Sequence, residues 1–163
     1  MNRFDREDYY RLLQTARRRG QERLYLLMKL VVCTGLSLRD LQTLTVEDVE
    51  SGTVEVSRAW ESRAVPIPDC LRWEVQRCAR RSGQKTGLLF TRRDGQPMGV
   101  AFISNSVRRL SATPEDPGGC CTIRDLQNLY YEALAQVGEQ GVCDLIEQEQ
   151  DIVGWNPTRG ESA

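Results

Sequence analysis

The sequence predicts an α+β fold that is mostly helical, with one small antiparallel sheet. Apolar residues recur at helical spacing over most of the 163 residues. Two short alternating segments, residues 53–57 and 63–67, are typical of a β-hairpin. No internal repeat or long linker divides the chain, so we expect a single domain over residues 1–157.

The first part of the chain is predicted to contain three helices. Residues 5–19 form an amphipathic helix that Gly20 ends, and residues 21–33 are apolar enough for a buried central helix. Ser37 is a favourable N-cap for a short third helix, and Asp40, three residues later, completes a capping box.

The hairpin follows a predicted turn at residues 45–49. Its strands, residues 53–57 and 63–67, are joined by residues 58–62. Pro66 has no backbone N–H, so the second strand is predicted to lie at a sheet edge or to end there.

The rest of the chain is predicted to add helices and one short strand. Asp69 caps a helix over residues 70–81, residues 88–90 form the strand, and residues 100–110 form a helix with Phe102 on its apolar face.

The clearest helix pattern runs from Thr122 to Val137, with Asp125 as the capping partner of Thr122 and Val137 on its inner, apolar face. Residues 142–150 are predicted as a shorter acidic helix, and residues 158–163 as a frayed C-terminal tail.

Composition excludes several classes of function. The absence of histidine removes Ser-His-Asp and Cys-His catalysis and every histidine-based metal site. No apolar segment is long enough to span a bilayer and the N-terminus lacks an apolar signal region, so we expect a cytoplasmic protein without membrane contact. No cofactor and no metal are expected.

The six cysteines form no Cys-x-x-Cys pair. We interpret them as reduced thiols, most of them small buried core residues, with a zinc site as the alternative. They are Cys33, Cys70, Cys78, Cys120, Cys121 and Cys143.

Charge is unevenly distributed along the chain. Residues 1–93 carry 18 Lys and Arg against 12 Asp and Glu, whereas residues 94–163 carry 4 against 11, so the two parts have net charges of +6 and −7. Nearly all the cations are arginines, which favour planar contacts such as those to phosphates. The basic part fits a nucleic-acid surface, although the total of −1 argues against strong nonspecific DNA binding, and solvated helix faces explain the same charges.

Five short strings resemble, in their order, the catalytic domain of the tyrosine recombinases, the phage-integrase family. The resemblance covers roughly residues 5–157. The strings are CTGLSLRDL at residues 33–41, RAVPI at 63–67, LF at 89–90, CTIRD at 121–125 and DIVGW at 151–155.

The resemblance implies phosphoryl transfer during site-specific DNA recombination and integration. In this family a tyrosine attacks a DNA phosphodiester, two arginines hold the non-bridging oxygens and a hairpin lysine protonates the leaving oxygen. A histidine, and a second histidine or a tryptophan, complete the pocket.

The first half of this site departs from the family pattern. Ser37 stands at the position of the first arginine, and Asp40 at that of the acid that supports it, which leaves this acid without an obvious partner. Arg39 lies about 200° around a helix from Ser37, so it is not the favoured replacement. The hairpin contains no lysine, and Arg58 or Arg63 can contact phosphate but are poor proton donors.

The second half keeps two matches. Cys121 stands at the histidine position, Arg124 matches the second arginine, and Trp155 matches the tryptophan alternative or is a core aromatic. Asp125 replaces the following histidine, where it either caps the helix or repels phosphate.

The family nucleophile has no counterpart in the sequence, because no tyrosine follows Tyr131. We interpret Tyr130 and Tyr131 as core or surface aromatics. The resemblance begins at the first helix of the catalytic domain, so we expect the family's DNA-clamping core-binding domain to be absent.

The sequence therefore predicts a catalytically inactive, recombinase-like pseudoenzyme of a mobile element that binds DNA weakly or conditionally. Its partners would be DNA and an active recombinase or another protein, and it would be a monomer or weak oligomer. The alternatives are a protein-interaction module without DNA function, a decaying gene fragment, and a truncated recombinase that takes its tyrosine from another molecule.

The positions of the arginines discriminate between DNA binding and protein interaction. Arginines gathered on one face of the fold favour DNA binding, whereas arginines scattered over the surface favour the interaction module. The candidate DNA contacts are Arg39, Arg58, Arg63, Arg92, Arg93, Arg108 and Arg109, beside Arg124.

Overall fold

In a computed structural model, the described residues are 4–58, 61–92, 94–138 and 141–146, without the side chains of residues 57, 58 and 61. The helices and strands confirm the mostly helical α+β class, and residues 142–146 add one helical turn. In chain order they are α1 (Arg6–Arg18), α2 (Glu22–Thr34), α3 (Leu38–Thr43), α4 (Val46–Ser51), β1 (Thr53–Arg58), β2 (Glu61–Pro66), α5 (Asp69–Ser82), α6 (Val100–Leu110) and α7 (Ile123–Val137).

The second helix is the centre of the fold. All residues from Tyr25 to Thr34 are buried, and α2 packs against α1, α5, α6 and α7. This burial on every side confirms the expectation of a buried central helix, because a helix that is apolar all round needs neighbours on all faces.

The hairpin is confirmed, but its strands are longer and its connection shorter than predicted. Strands β1 and β2 are antiparallel from Thr53↔Pro66 to Arg58↔Glu61, so only residues 59–60 connect them. The predicted five-residue connection was wrong because the backbone pairing of the strands extends to Arg58 and Glu61, beyond the residues that alternate between apolar and polar. Pro66 ends β2 as expected.

Two other expectations about strands and turns were wrong. Residues 45–49 begin helix α4 instead of forming a turn, because Thr45 accepts a hydrogen bond from the backbone N–H of Asp48 and caps it. Residues 88–90 form no strand in the described part of the chain; Leu88 makes one isolated bridge to Thr45, while Leu89 and Phe90 are buried.

Several helix ends are fixed by one device, the capping box. In each box a side-chain oxygen at the N-cap accepts a hydrogen bond from the backbone three residues later, and the carboxylate there accepts one in return. Four described helices begin this way, at Asp5/Asp8, Ser37/Asp40, Thr45/Asp48 and Thr122/Asp125. Helix α5 differs from the prediction, since its N-cap is Pro68 and Asp69 is already helical.

Some residues assigned to apolar faces or to the core are exposed. Phe102 is 51% exposed and Val137 is 45% exposed, because they lie at the edges of the buried faces of α6 and α7. The expectation that most cysteines are buried was wrong: Cys70 and Cys120 are exposed and Cys143 is partly exposed. The predicted helix over residues 142–150 is confirmed to residue 146, and the rest of it, with Trp155 and the tail, lies outside the described residues.

The end of α2 is fixed by a close contact with α7. Gly35 ends α2 in the left-handed region with φ of +74°, and a Cβ there would lie 2.5 Å from Cε2 of Tyr130. Tyr130 is itself buried. Only glycine fits this position, because both the backbone angle and the ring exclude a side chain.

Replacing Gly35 by alanine is expected to lower the free energy of unfolding by about 2–4 kcal/mol. The added Cβ would overlap the Tyr130 ring in addition to opposing the positive φ. Urea unfolding followed by circular dichroism measures this loss.

Gly83→Ala is the matched control for that measurement. Gly83 also ends a helix at φ of +73°, but a Cβ there meets nothing within 4 Å. The free energy of unfolding of Gly83→Ala should therefore fall by about 1 kcal/mol, which is the cost of the backbone angle alone. Equal losses in the two variants would contradict the role assigned to the Tyr130 ring.

Candidate nucleic-acid interface

The first predicted site position, Ser37, is used by the helix it caps. The Ser37 hydroxyl donates to Oδ2 of Asp40 at 2.8 Å, and the Ser37 backbone N–H donates to the same oxygen at 2.9 Å. The backbone N–H of Asp40 donates to the Ser37 hydroxyl at 3.2 Å. The expectation that Asp40 lacks a partner here was therefore wrong: its carboxylate holds Ser37, and the Ser37 hydroxyl proton is already committed.

A cavity of 240 Å³ lies beside this capping box. Asp40 and Arg63 line it together with Thr34, Tyr130 and Tyr131. The structure thus brings two predicted site residues, one from α3 and one from β2, to the same cavity. Tyr130 is buried and Tyr131 is 55% exposed, which fits their interpretation as core and surface aromatics.

The second predicted box starts helix α7, and its residues do not line that cavity. Arg124 precedes Tyr130 by six residues, which is about 9 Å along the helix axis. Arg124 is exposed. Asp125 completes the capping box with Thr122, whose backbone N–H donates to Oδ2 of Asp125 at 2.9 Å. This confirms the helix-capping alternative for Asp125.

Cys121, at the position of the family histidine, is a buried thiol. It is 1% exposed, and its Sγ lies 3.6 Å from the carbonyl oxygen of Thr122. Burial raises the pKa of Cys121 far above its ordinary value, and the negative charges of Asp125, Cys120 and Asp8 add to the shift. The thiol therefore keeps its proton near neutral pH and carries no positive charge toward a phosphate.

One serine joins the end of α6 to the start of α7. The Ser111 hydroxyl donates to the carbonyl oxygen of Arg108 at 2.7 Å and accepts from the backbone N–H groups of Cys120 and Cys121, both at 3.0 Å. The loop also packs tightly there, since a Cβ on Gly119 would lie 1.8 Å from the Arg108 carbonyl oxygen.

These contacts join the end of α6, which carries two arginines, to the segment that leads to a third arginine in α7. Arg108 and Arg109 occupy the last turn of α6, and Arg124 the first turn of α7, three residues after Cys121. All three are exposed. We call this group, with Ser111, the α6/α7 junction.

The other predicted DNA contacts do not all share this surface. Arg39 is exposed in the first turn of α3, and Arg63 borders the 240 Å³ cavity. Arg92 forms an ion pair with Asp94 at 2.9 Å, which engages its charge. The Arg58 side chain and all of Arg93 lie outside the described residues, as does Trp155.

Sequence reasoning missed Ser111. Its polar, helix-ending position is visible in the sequence, but its partners lie nine and ten residues away across a loop that contains prolines and glycines. No periodic pattern spans such a loop, so the junction could be found only in three dimensions. Within the described ranges, no three His, Cys, Asp or Glu side chains group as a metal site, and no helix could cross a bilayer.

Comparison with solved structures identifies the fold. The match to XerA recombinase covers 85% of the chain, with a TM-score of 0.65 and 16% sequence identity. The match to a lambda integrase dimer bound to a COC' core site covers 95% of the chain, with a TM-score of 0.63 and 18% sequence identity. Tn1549 transposon integrase in complex with transposon right end DNA matches 70% of the chain with 0.55 and 20%.

These matches show that the chain has a tyrosine recombinase-like fold. The matches cover 50%, 60% and 46% of those three proteins, so the chain spans about half the length of the structures it resembles. No protein-family model and no curated protein matches the sequence.

The buried thiol of Cys121 makes stability depend on pH in a predictable direction. Its pKa is raised above the ordinary 9.0, so above pH 9.0 the folded chain holds a proton that the unfolded chain releases. The stabilisation is full below that pH and is lost as pH rises, by up to about 1.4 kcal/mol per pH unit. Cys121→Ala should therefore reduce the decline in the free energy of unfolding between about pH 8 and pH 10.5.

Cys120→Ala, which removes an exposed thiol one residue away, is the control and should keep most of the wild-type decline, because burial is the main cause of the raised pKa of Cys121. Urea unfolding at each pH gives the three curves. A Cys121→Ala curve parallel to the wild-type curve would contradict the assignment.

Proposed function

We propose that this chain is a noncatalytic, DNA-binding relative of the tyrosine recombinases, which regulates recombination of a mobile element by occupying a DNA site or pairing with an active recombinase. The observation that carries the proposal is the α6/α7 junction on a recombinase-like fold, where Ser111 bonds the end of α6, with the exposed Arg108 and Arg109, to the segment that leads to the exposed Arg124.

The electrostatics of the junction favour a phosphate backbone. In the described part of the chain, no carboxylate forms an ion pair with Arg108, Arg109 or Arg124. The N-terminus of α7 adds the positive end of a helix dipole to their charge. Glu115 and Asp116, exposed in the same loop, and Asp125 in the first turn of α7 oppose it, so the DNA affinity should be weak and sensitive to salt.

Three positions support the absence of catalysis. Ser37 brings no charge and is committed to Asp40, Cys121 is a buried neutral thiol, and residues 53–67 contain no lysine to act as a proton donor. Removing one group that stabilises transition-state charge typically lowers a rate by about 10²–10³. Loss of three such groups together is expected to leave no measurable strand cleavage.

A second candidate function, protein interaction, is favoured by an apolar groove on another face. This groove of 510 Å³ lies between the start of α2, the end of α5 and α6, and the half-exposed Phe102 borders it. Exposed apolar side chains around a groove are typical of interaction surfaces. If this were the main function, DNA binding would be absent at any salt concentration.

The DNA-binding proposal is tested by titrating labelled duplex DNA with the protein in fluorescence anisotropy at several salt concentrations. Replacing Arg108, Arg109 and Arg124 by glutamine should weaken binding about 10- to 100-fold at about 50 mM salt. The slope of log affinity against log salt should also become less steep by about 2–3, because fewer counterions are released.

The control is a triple glutamine variant at Arg18, Arg80 and Arg81, which removes the same charge. Arg18 lies in the last turn of α1 and Arg80 and Arg81 in the last turn of α5, so none of them belongs to α6, α7 or the loop that joins them. An equal loss of affinity in both variants, or no binding at low salt, would contradict the proposal. A covalent protein–DNA adduct on denaturing gels would contradict its noncatalytic part.

A further inference from the structure

Two thiols that are far apart in the sequence meet at the surface of the fold. Cys70 lies in the first turn of α5, and Cys143 lies in the helical turn at residues 142–146. Their sulfur atoms are 3.3 Å apart although 73 residues separate them. A disulfide has a sulfur–sulfur distance of about 2.05 Å, so an approach of about 1.3 Å would bring the two atoms to bonding distance.

The thiol pair is open to small molecules. Cys70 is exposed, Cys143 is partly exposed, and both line an open cavity of 410 Å³ that also contacts Cys33 and Tyr130. The other thiols differ from this pair. Cys33, Cys78 and Cys121 are buried, and Cys120 is exposed beside a buried neighbour.

We propose that Cys70 and Cys143 are a redox modification site, which a small-molecule disulfide such as oxidised glutathione converts into an intramolecular disulfide. The thiolate of Cys70 attacks one sulfur of the glutathione disulfide, so a mixed disulfide forms and one glutathione thiolate leaves. The thiolate of Cys143 then attacks the Cys70 sulfur and releases the second glutathione.

The reaction is balanced. Two protein thiols and one glutathione disulfide give one protein disulfide and two glutathione thiols, and two electrons pass from the protein sulfurs to glutathione. Cys70 is the entry point because it is the more exposed thiol and the first turn of a helix stabilises a thiolate. Asp69 and Asp144 line the same cavity and oppose this charge, so the exchange should be slower than at a dedicated redox cysteine.

The disulfide would fasten the turn at residues 142–146 to the start of α5. At present the turn is held by the burial of Val142 and Ile146 and by a 2.7 Å hydrogen bond from the Tyr10 hydroxyl to the carbonyl oxygen of Ile146. A covalent link across 73 residues restricts the unfolded chain strongly. Oxidation would therefore stabilise the fold chiefly by restricting the unfolded chain.

Incubation of the full chain with excess oxidised glutathione, followed by alkylation and a nonreducing tryptic peptide map, tests the proposal. Trypsin leaves the two thiols in separate peptides, residues 64–72 and 125–159, and Cys33 in a third, residues 30–39. The expected product is the first two peptides joined, with two hydrogen atoms fewer than their sum. The thermal unfolding midpoint should rise by about 5 °C or more and return on reduction.

Cys70→Ser and Cys143→Ser should each abolish the joined peptides and the thermal shift, whereas Cys120→Ser should preserve both. A lasting glutathione adduct on Cys70, a Cys33–Cys143 link, or full alkylation of both thiols after oxidation would overturn the proposal. So would the joined peptides without a thermal shift, because the turn would then be no better fastened.

Discussion

The fold depends on a charge buried inside its central helix. The Lys29 side chain is 1% exposed, and its Nζ lies 2.7 Å from Oε1 of Glu74 on α5 and 5.5 Å from the centre of the Tyr25 ring. An unpaired ammonium group at this depth would cost several kcal/mol, so α2 can be buried on all sides only if α5 packs against it with Glu74 facing inward. The position of α5 in turn sets one wall of the apolar groove and one wall of the thiol cavity.

The positions that resemble recombinase catalytic residues have structural roles in this chain. Serine is a good helix N-cap, so Ser37 stabilises α3. At the matching position of the family pattern, an arginine would contact a phosphate. The same holds at α7, where Asp125 completes a capping box and Cys121 fills the core. Catalytic residues commonly lower the stability of a fold, so replacing them by residues that cap helices or fill the core is expected to raise it. The local contacts are thus consistent with a chain that keeps the fold without the chemistry.

Sequence patterns located most of what depends on neighbours along the chain and missed what depends on distant contacts. The longer helices and the caps at Ser37 and Thr122 were predictable because periodicity and capping are local. The six-residue helix α4 was missed because it is too short to show a periodic apolar pattern, although its Thr45/Asp48 capping box is local. Residues 88–90 look like a strand because they are apolar, yet Leu89 and Phe90 are buried outside any strand and Leu88 makes only an isolated bridge to Thr45. Ser111 and the Cys70–Cys143 pair could not be predicted, since their contacts span a loop or most of the chain.

A net charge of −1 does not decide whether such a chain meets DNA, because phosphates respond to charges within about 10 Å. The acidic excess of residues 94–163 includes the region that carries Arg108, Arg109 and Arg124, so chain-wide counting hides three exposed arginines in the acidic part of the chain. The Ser111 hydroxyl holds the end of α6, with two of these arginines, against the segment that leads to the third. The contacts of this neutral hydroxyl therefore bear on the proposed DNA contact more directly than the total charge of the chain does.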